Sequence, residues 1–377
     1  MSLVPFLLDY SIKVSHETYS FLNSDFIFIP YSKENFSFLA ESNMIKKGSL
    51  IAKNNNHLYT STISGKIVGT KKLKNQEFIA IANDFKEKRL DKIKDNRKSI
   101  KSREDLESLL KKFCVNFLIE PNKNLIVNLI ENEPYILSDT RFFSDNIVDC
   151  LEVLDFIKVV YNYKNIVILI KNTETELLLK LNDIIGTYPD INIVTVPNLY
   201  LINKKENYKK YLNIDIANCY EINTDKLEIL INIIKFNQLP CEKYITITGD
   251  ALKNPMVVKV KKGALVRNVI KECFLFMPSD LNIVYYINSV LKPPVLDIDE
   301  LIVDDDLKGI VVSYKKDKKS EDCIKCGLCN KYCPMNLDPI KYYRKNVTLK
   351  CLNCGICNYV CPSNIDFKKI IKEDNNE

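Results

Sequence analysis

Eight of the thirteen cysteines form two runs of one spacing, CIKCGLCNKYCP from Cys323 and CLNCGICNYVCP from Cys351. Each reads C-x-x-C-x-x-C-x-x-x-C-P. A 4Fe–4S cubane needs four thiolates at the corners of a tetrahedron. The tight C-x-x-C-x-x-C loop supplies three, and the fourth comes from a distance. In two-cluster ferredoxins the last cysteine of each run serves the other cluster. That rule assigns Cys323, Cys326, Cys329 and Cys361 to one cluster, and Cys351, Cys354, Cys357 and Cys333 to the second. Pro334 and Pro362 keep a helix from running through the fourth ligand. Gly327 and Gly355 fall inside the loops, where bulk near the sulfide is unwelcome. A zinc ribbon would also use two C-x-x-C pairs. It needs neither the third cysteine nor the Cys-Pro, and here both occur twice. Such clusters move one electron at a time and have no protonic chemistry of their own.

The other residues with reactive side chains form no comparable set. Cys114, Cys150, Cys219, Cys241 and Cys273 are isolated in or beside apolar sequence and read as structural thiols. The odd cysteine total argues against a disulfide framework. His16 and His57 stand alone, and no Ser-His-Asp or Cys-His constellation is present. The net charge of +6 is small and spread along the chain, carried mostly by lysine. Arginine clusters interleaved with aromatics are missing, so no nucleic-acid partner is expected. No apolar run approaches the ~20 residues of a membrane helix. The opening MSLVPFLLDYSIKV lacks a basic lead-in, so no signal peptide is expected.

A chain of 377 residues exceeds one ordinary core, so several domains are expected to position the cysteines. The fold class read from the pattern is multidomain α/β plus β. Residues 1–90 alternate apolar and polar over short runs with Gly48, Gly65 and Gly69 at turns. They read as a β-rich module similar to the barrel-sandwich of biotinyl and lipoyl carriers. Lys66 follows Ser-Gly rather than sitting at a carrier-type hairpin tip, so a plain hairpin is expected. Residues 91–112 are a charged linker running into a helix with a Ser102–Asp105 capping box. In residues 113–238, NLIVNLI, NIVILI, INIVTV and NIDIA read as strands. The helical stretches that alternate with them, TDKLEILINIIKF last, make a βαβ series and an open α/β sheet. Residues 239–314 read as a small ubiquitin-like α+β unit with turns at Gly249-Asp250 and Lys262-Gly263. Its helix is expected from Leu265 to Phe274. A polar linker leads to the two-cluster, ferredoxin-like helical domain, 320–372.

This order of parts, with "KKGSLIA…TISGKIVG", "ENEPYILSDTRFF", "TITGDALKNP" and the cysteine tail, resembles the C subunit of the Rnf electron-transport complex from about residue 40 onward. The resemblance implies an α/β domain related to the NADH- and FMN-binding subunit of respiratory complex I, an SLBB-type ubiquitin-like unit and two 4Fe–4S clusters. It implies a peripheral, cytoplasmic subunit on the inner membrane, docked on membrane subunits of an Rnf-like complex. The implied redox partner is a ferredoxin or flavoprotein.

The departures fall in the nucleotide site. The family's long glycine-rich loop is replaced by KKFCVNFLIEPNKNL (111–125), which has no glycine. Phe113, Phe117 and Leu118 cannot let a phosphate approach bare backbone. The family's Asn-Gly-Ala-Glu-Cys-Glu-Pro-Tyr reads Asn128-Leu129-Ile130-Glu131-Asn132-Glu133-Pro134-Tyr135, and a later Gly-Gly turn reads LYLINKKENY. Glycines persist elsewhere, at Gly48, Gly65, Gly249, Gly263, Gly327 and Gly355. Glu131 and Glu133 are the candidate residual nucleotide or flavin contacts. With Asp139 and Arg141, they are expected chiefly to hold a local turn and ion pairs. The reading is an electron-transfer subunit whose NADH and FMN binding is impaired or lost. Two readings compete with it: an active NADH-oxidising flavoprotein subunit with an altered loop, and an electron donor to a soluble reductase such as a corrinoid enzyme.

Overall fold

A computed structural model of the protein describes residues 14–15, 17–31, 37–54, 57–90, 94–117, 119–121, 123–131, 133–273, 283–315, 320–343 and 351–367. The expectations for residues 1–13, His16, Leu118, Asn132, Phe274 and the end of the tail beyond Phe367 lie outside these.

The amino-terminal part is all β: β1 (Thr18–Phe21), β2 (Phe26–Tyr31), β3 (Ser37–Phe38), β4 (Met44–Ile45), β5 (Leu50–Lys53), β6 (Leu58–Thr60), β7 (Gly65–Leu73) and β8 (Gln76–Asn83). Two sheets form, ordered β2-β8-β7-β4 and β3-β5-β6. Alternating apolar residues close a core of Ile27, Ile29, Ile51, Ile63, Ile79 and Ile81 between them. Lys66 is exposed within β7, paired with Ala82, and not at a hairpin tip.

α1 (Arg103–Lys112) begins at Ser102, whose side chain accepts from the Asp105 N–H while Asp105 returns a bond to the Ser102 N–H. This reciprocal box satisfies two donors that the first helical turn would otherwise leave open. The α/β part follows: β9 (Asn124–Asn128), α2 (Ser138–Asp145), α3 (Ile147–Tyr161), β10 (Ile166–Lys171), α4 (Thr175–Ile184), β11 (Ile191–Val196), α5 (Lys205–Tyr208), β12 (Cys219–Asn223) and α6 (Thr224–Phe236). Its four strands are all parallel in the order β11-β10-β9-β12. The strands are buried apolar runs, and helices α3 and α6 pack over one face around Leu151, Leu154, Ile157, Leu230 and Ile234. One expected strand is displaced. NIDIA does not form a strand, because the Asp215 carboxylate accepts from the Ala217 N–H and starts a 3-10 turn at Ile216–Asn218. The strand is the next segment, Cys219–Asn223.

The third part has β13 (Glu242–Thr248), β14 (Met256–Lys261), α7 (Val266–Cys273), β15 (Ile283–Ile287) and β16 (Gly309–Tyr314). Its sheet has five strands because β1 pairs in parallel with β14 at one edge. β1, the first strand among the described residues, therefore belongs to this sheet and not to the β module that follows it. α7 covers the sheet through Val266, Val269 and Ile270. Among the described residues the tail carries three short helices, α8 (Leu328–Lys331), α9 (Pro339–Tyr343) and α10 (Ile356–Val360).

The parts are fastened by charge. Glu242 of β13 meets Lys47, Lys259 and Lys261 at 3.1–3.2 Å, and Lys47 and Lys261 are almost wholly buried. Burial pushes the Glu242 carboxyl up, but the three ammonium groups outweigh it and hold it at about 2. Lys47 lies in the β module, so this hub ties that module to the third sheet.

Candidate functional site

The two cysteine runs fold alike. In each, the residue after the second ligand-spaced cysteine is a glycine at positive φ, Gly327 at 74° and Gly355 at 83°, which caps α8 or α10. A Cβ on Gly327 would meet no protein atom within 4 Å, so on the protein side the requirement is the sign of φ. Lys325 and Asn353 are also both left-handed, at 59° and 52°, as are Asn336 and Asn364 after each Cys-Pro. The turned backbone aims N–H groups at sulfur. Lys325 N donates to Cys323 Sγ at 3.4 Å, Asn353 N to Cys351 Sγ at 3.2 Å and Leu337 N to Cys333 Sγ at 3.3 Å.

The cysteines line two recesses. One is bounded by Cys323, Cys326, Cys329 and Cys361, with Ile340, Ile365 and Phe367 behind them. The other is bounded by Cys351, Cys354, Cys357 and Cys333, with Met335, Leu337 and Ile356. The electrostatics divide the same way. Burial, then Cys361, Cys323 and Cys326, push the Cys329 thiol up to about 11. Burial, then Cys354, Cys351 and Cys333, push Cys357 up to about 12. Among the described residues no group of three or more His, Cys, Asp or Glu is gathered as for a single metal ion. The donor set instead suits a four-thiolate cluster, with apolar walls and N–H···S bonds around it. Cys150, Cys219 and Cys241 are buried away from both recesses, and Cys114 is half-buried at a left-handed φ of 55°.

The recesses differ in their surroundings. Cys326 is exposed to solvent. The Cys354 recess is covered by the loop after β11. Tyr200 and Leu201 pack with Leu291 and Ile356 against Cys354, Tyr332 and Val360. The Tyr135 and Tyr359 hydroxyls meet at 3.0 Å across the same seam. Sequence reasoning missed Tyr200 as a site residue. The contact joins positions more than 150 residues apart, and no local pattern marks it.

Upstream, the carboxyl ends of β9 and β12 form the switch point of the sheet, where doubly wound folds hold their ligands. Here the chain's own side chains answer both helix N-termini. Glu131 is buried and accepts from Asp139 N (2.8 Å), Ser138 Oγ (3.1 Å) and Thr140 Oγ1 (3.0 Å), all at the start of α2. Asn223 caps α6 by accepting from Lys226 N at 3.1 Å. Lys308 of the third part reaches between the two helix starts and bonds Asp139 and Asp225, each at 2.6 Å. Arg141 donates to the Ser15 carbonyl at 3.2 Å and faces Glu176. Burial and the nearby Asp139 charge raise the Glu131 carboxyl to about 8. Glu133 points elsewhere. Its Oε2 is buried without a hydrogen-bond partner, and its charge acts on the Tyr200 hydroxyl. The two candidate glutamates are thus not brought together.

A cleft of about 90 Å³ beside the start of α4 is lined by Arg141, Thr173, Glu174 and Leu177. The glycine-free segment 113–117 gives no cradle. Phe113, Val115 and Phe117 pack on the main core. Together with Phe28, Tyr59, Leu239 and Lys262 they also wall a larger cavity of about 610 Å³. Residues 113–117 precede β9 and Leu239 follows α6, so this cavity borders the amino side of the sheet.

Residues 112–209 match the model of the Nuo51 FMN-binding domain, and residues 300–338 match that of a 4Fe-4S dicluster domain. The second match reaches only the first cysteine run. Curated relatives are the C subunits of ion-translocating complexes. That of the ion-translocating oxidoreductase complex of Erwinia tasmaniensis is 24% identical over 232 residues, covering 58% of this chain and 29% of that protein. That of the Na(+)-translocating ferredoxin:NAD(+) oxidoreductase complex of Acetobacterium woodii is 27% identical over 116 residues, covering 28% and 25%. That of the proton-translocating ferredoxin:NAD(+) oxidoreductase complex of Clostridium ljungdahlii is 24% identical over 341 residues, covering 78% and 72%. The chain thus spans about a third or less of the Erwinia and Acetobacterium relatives. A solved NAD+-reducing [NiFe]-hydrogenase in the H2-reduced state overlays loosely, at a TM-score of 0.44 and 9% identity over 74% of this chain and 52% of that one. That likeness carries no argument.

Proposed function

We propose that this chain, a divergent relative of the C subunits of Rnf-type ion-translocating oxidoreductase complexes, is an electron-transfer subunit with two 4Fe–4S clusters and no working NADH or FMN site. The observation that carries it is the pair of four-cysteine recesses with exchanged fourth cysteines, set beside a crevice that its own side chains fill. Cys323, Cys326, Cys329 and Cys361 are proposed to hold one cluster, and Cys351, Cys354, Cys357 and Cys333 the other. When bound, each cluster accepts and releases single electrons. The protein's part is to fix sulfur positions, supply N–H···S bonds and exclude water from the second recess.

Loss of the nucleotide site is supported by chemistry at the switch point. A phosphate binds at helix N-termini through free N–H groups and the positive end of the dipole. Glu131 and Asn223 already occupy those donors, and Asp139 and Asp225 add negative charge there. The cleft between the starts of α2 and α4, about 90 Å³, is well below the ~300 Å³ at which ligand pockets begin. The larger cavity has the volume, but Phe113, Val115 and Phe117 wall it where bare backbone would have to meet a phosphate. We read the units as a barrel-sandwich-like module (1–90, less β1, which joins the third sheet), a linker and helix (91–112), the α/β domain (113–238), an SLBB-type unit (239–314) and the two-cluster domain (320–372). Among the described residues no helix is long and apolar enough to cross a membrane. We place the chain peripherally on the cytoplasmic face of the inner membrane, on membrane subunits of an Rnf-like complex. A ferredoxin or flavoprotein is the redox partner.

The match to an FMN-binding domain favours a second reading, a working flavoprotein subunit. Anaerobic reconstitution followed by mixing with NADH separates the two. The expected outcome is a brown protein without yellow flavin, two interacting 4Fe–4S signals after dithionite, and no bleaching by NADH. Rapid NADH bleaching with bound flavin would establish the second reading, and stoichiometric zinc would remove both.

A further inference from the structure

The two runs have nearly the same local backbone, so their loops alone would give two similar clusters. What distinguishes them is the α/β domain. Cys326 and Cys354 are equivalent second cysteines, yet Cys326 is exposed while Cys354 sits beneath Tyr200 and Leu201. Leu201 takes a left-handed φ of 62°, a conformation that bulky residues avoid. The loop accepts this strain and thereby presents Tyr200 to the recess. The Tyr200 hydroxyl hydrogen-bonds the Cys354 sulfur. A phenol hydroxyl can donate to a thiolate. Tyr200 is 5% exposed and packs with Leu201, Leu291 and Ile356, with the Glu133 carboxyl also acting on its hydroxyl.

We propose that Tyr200 is the residue that sets the reduction potential of the second cluster apart from that of the first. This rests on the two-cluster reading. A donor bond to a ligand sulfur stabilises the reduced cluster, which carries one more negative charge, and so raises its potential. The first cluster lacks such a cover on Cys326 and has no equivalent donor from the α/β domain among the described residues. Tyr200 is a positioning and tuning residue and takes no part in the electron's own path as a carrier.

The test is an EPR-monitored redox titration of the reconstituted full chain as wild type, Tyr200→Phe and Tyr135→Phe. Tyr200→Phe keeps the ring and its packing and removes only the hydroxyl. It is expected to make the second cluster about tenfold harder to reduce, a downward shift of ~59 mV for one electron. The first cluster should not move. Tyr135→Phe breaks the Tyr135–Tyr359 bond of the same seam without touching Cys354, and should leave both potentials in place. An unmoved second potential in Tyr200→Phe overturns the proposal. Equal shifts in both variants overturn it too, because the seam and not the hydroxyl would then be responsible. Loss of the second cluster from Tyr200→Phe assigns Tyr200 to packing and also overturns it. Absence of the second 4Fe–4S signal from the wild type would instead bring down the cluster reading itself, before any variant is compared.

Discussion

At the scale of single residues, Glu131 shows how a family-like position can be kept for structural reasons. Its carboxyl is buried against the start of α2 with Asp139 nearby, and its pKa rises to about 8 from an ordinary value near 4.5. A raised acid contributes stability fully below the unfolded pKa and loses it as pH climbs through the folded one. The protein should therefore weaken between about pH 5 and pH 9. Glu131→Gln is neutral throughout and can still accept from Asp139 N. It should lose less than the wild type over that range, where Glu228, raised by burial to about 7, still titrates, and exceed the wild type by about 2–5 kcal/mol at pH 9. Urea unfolding at pH 5, 7 and 9 checks this, and a wild type that gains stability on the alkaline side would refute it. The cysteine grouping was legible because spacing along the chain carries it. Tyr200 and Lys308 were not, since each acts on residues far away in sequence, and LYLINKKENY was read only for its missing glycines.

At the scale of elements, legibility followed how local the cause was. The capping box at Ser102 and the strand INIVTV are written in a few adjacent residues, and both formed where expected. NIDIA failed because an Asp two residues from the peptide it bonds can turn the chain, and a strand pattern of five residues does not reveal that competition. The pairing of β1 with β14 was hidden for another reason. Edge pairing across more than 200 residues depends on which face stays open after the sheet forms. The Glu242 hub belongs to the same class. Removing its charge by Glu242→Gln would leave Lys47 and Lys261 buried with, among the described residues, the partly exposed Glu87 as their remaining carboxylate. Breaking a buried pair costs about 3–5 kcal/mol, and Glu87 places the expectation near the lower end. Because Glu242 is held at about 2, the contribution it makes is present at neutral pH and lost only as pH falls from about 4.5 through 2. Thermal unfolding at pH 7 should show the loss, with wild type and variant converging in acid. Equal midpoints at pH 7 would mean the lysines find other partners.

At the scale of the whole molecule, the exchanged fourth cysteines make the tail one unit. Cys361 follows α10 yet faces the first recess, and Cys333 follows α8 yet faces the second. Helices α8 and α10 pack on each other, which brings each Cys-Pro across to the other loop. Two independent modules would behave differently from this when the chain is cut. Ending the chain after residue 350 removes three cysteines from the second recess and one from the first, so neither keeps four. Iron per reconstituted chain should fall from about eight atoms towards none, rather than to about four. Cys361→Ala in the full chain should abolish the first cluster's 4Fe–4S signal and spare the second, and Cys333→Ala should do the reverse. The α/β domain stays in place throughout, so the seam over Cys354 persists in Cys361→Ala and the second cluster should hold its wild-type potential. A truncated chain that retains four iron atoms and a first-cluster spectrum would show that each run is self-sufficient, and the exchange of ligands would then be wrong.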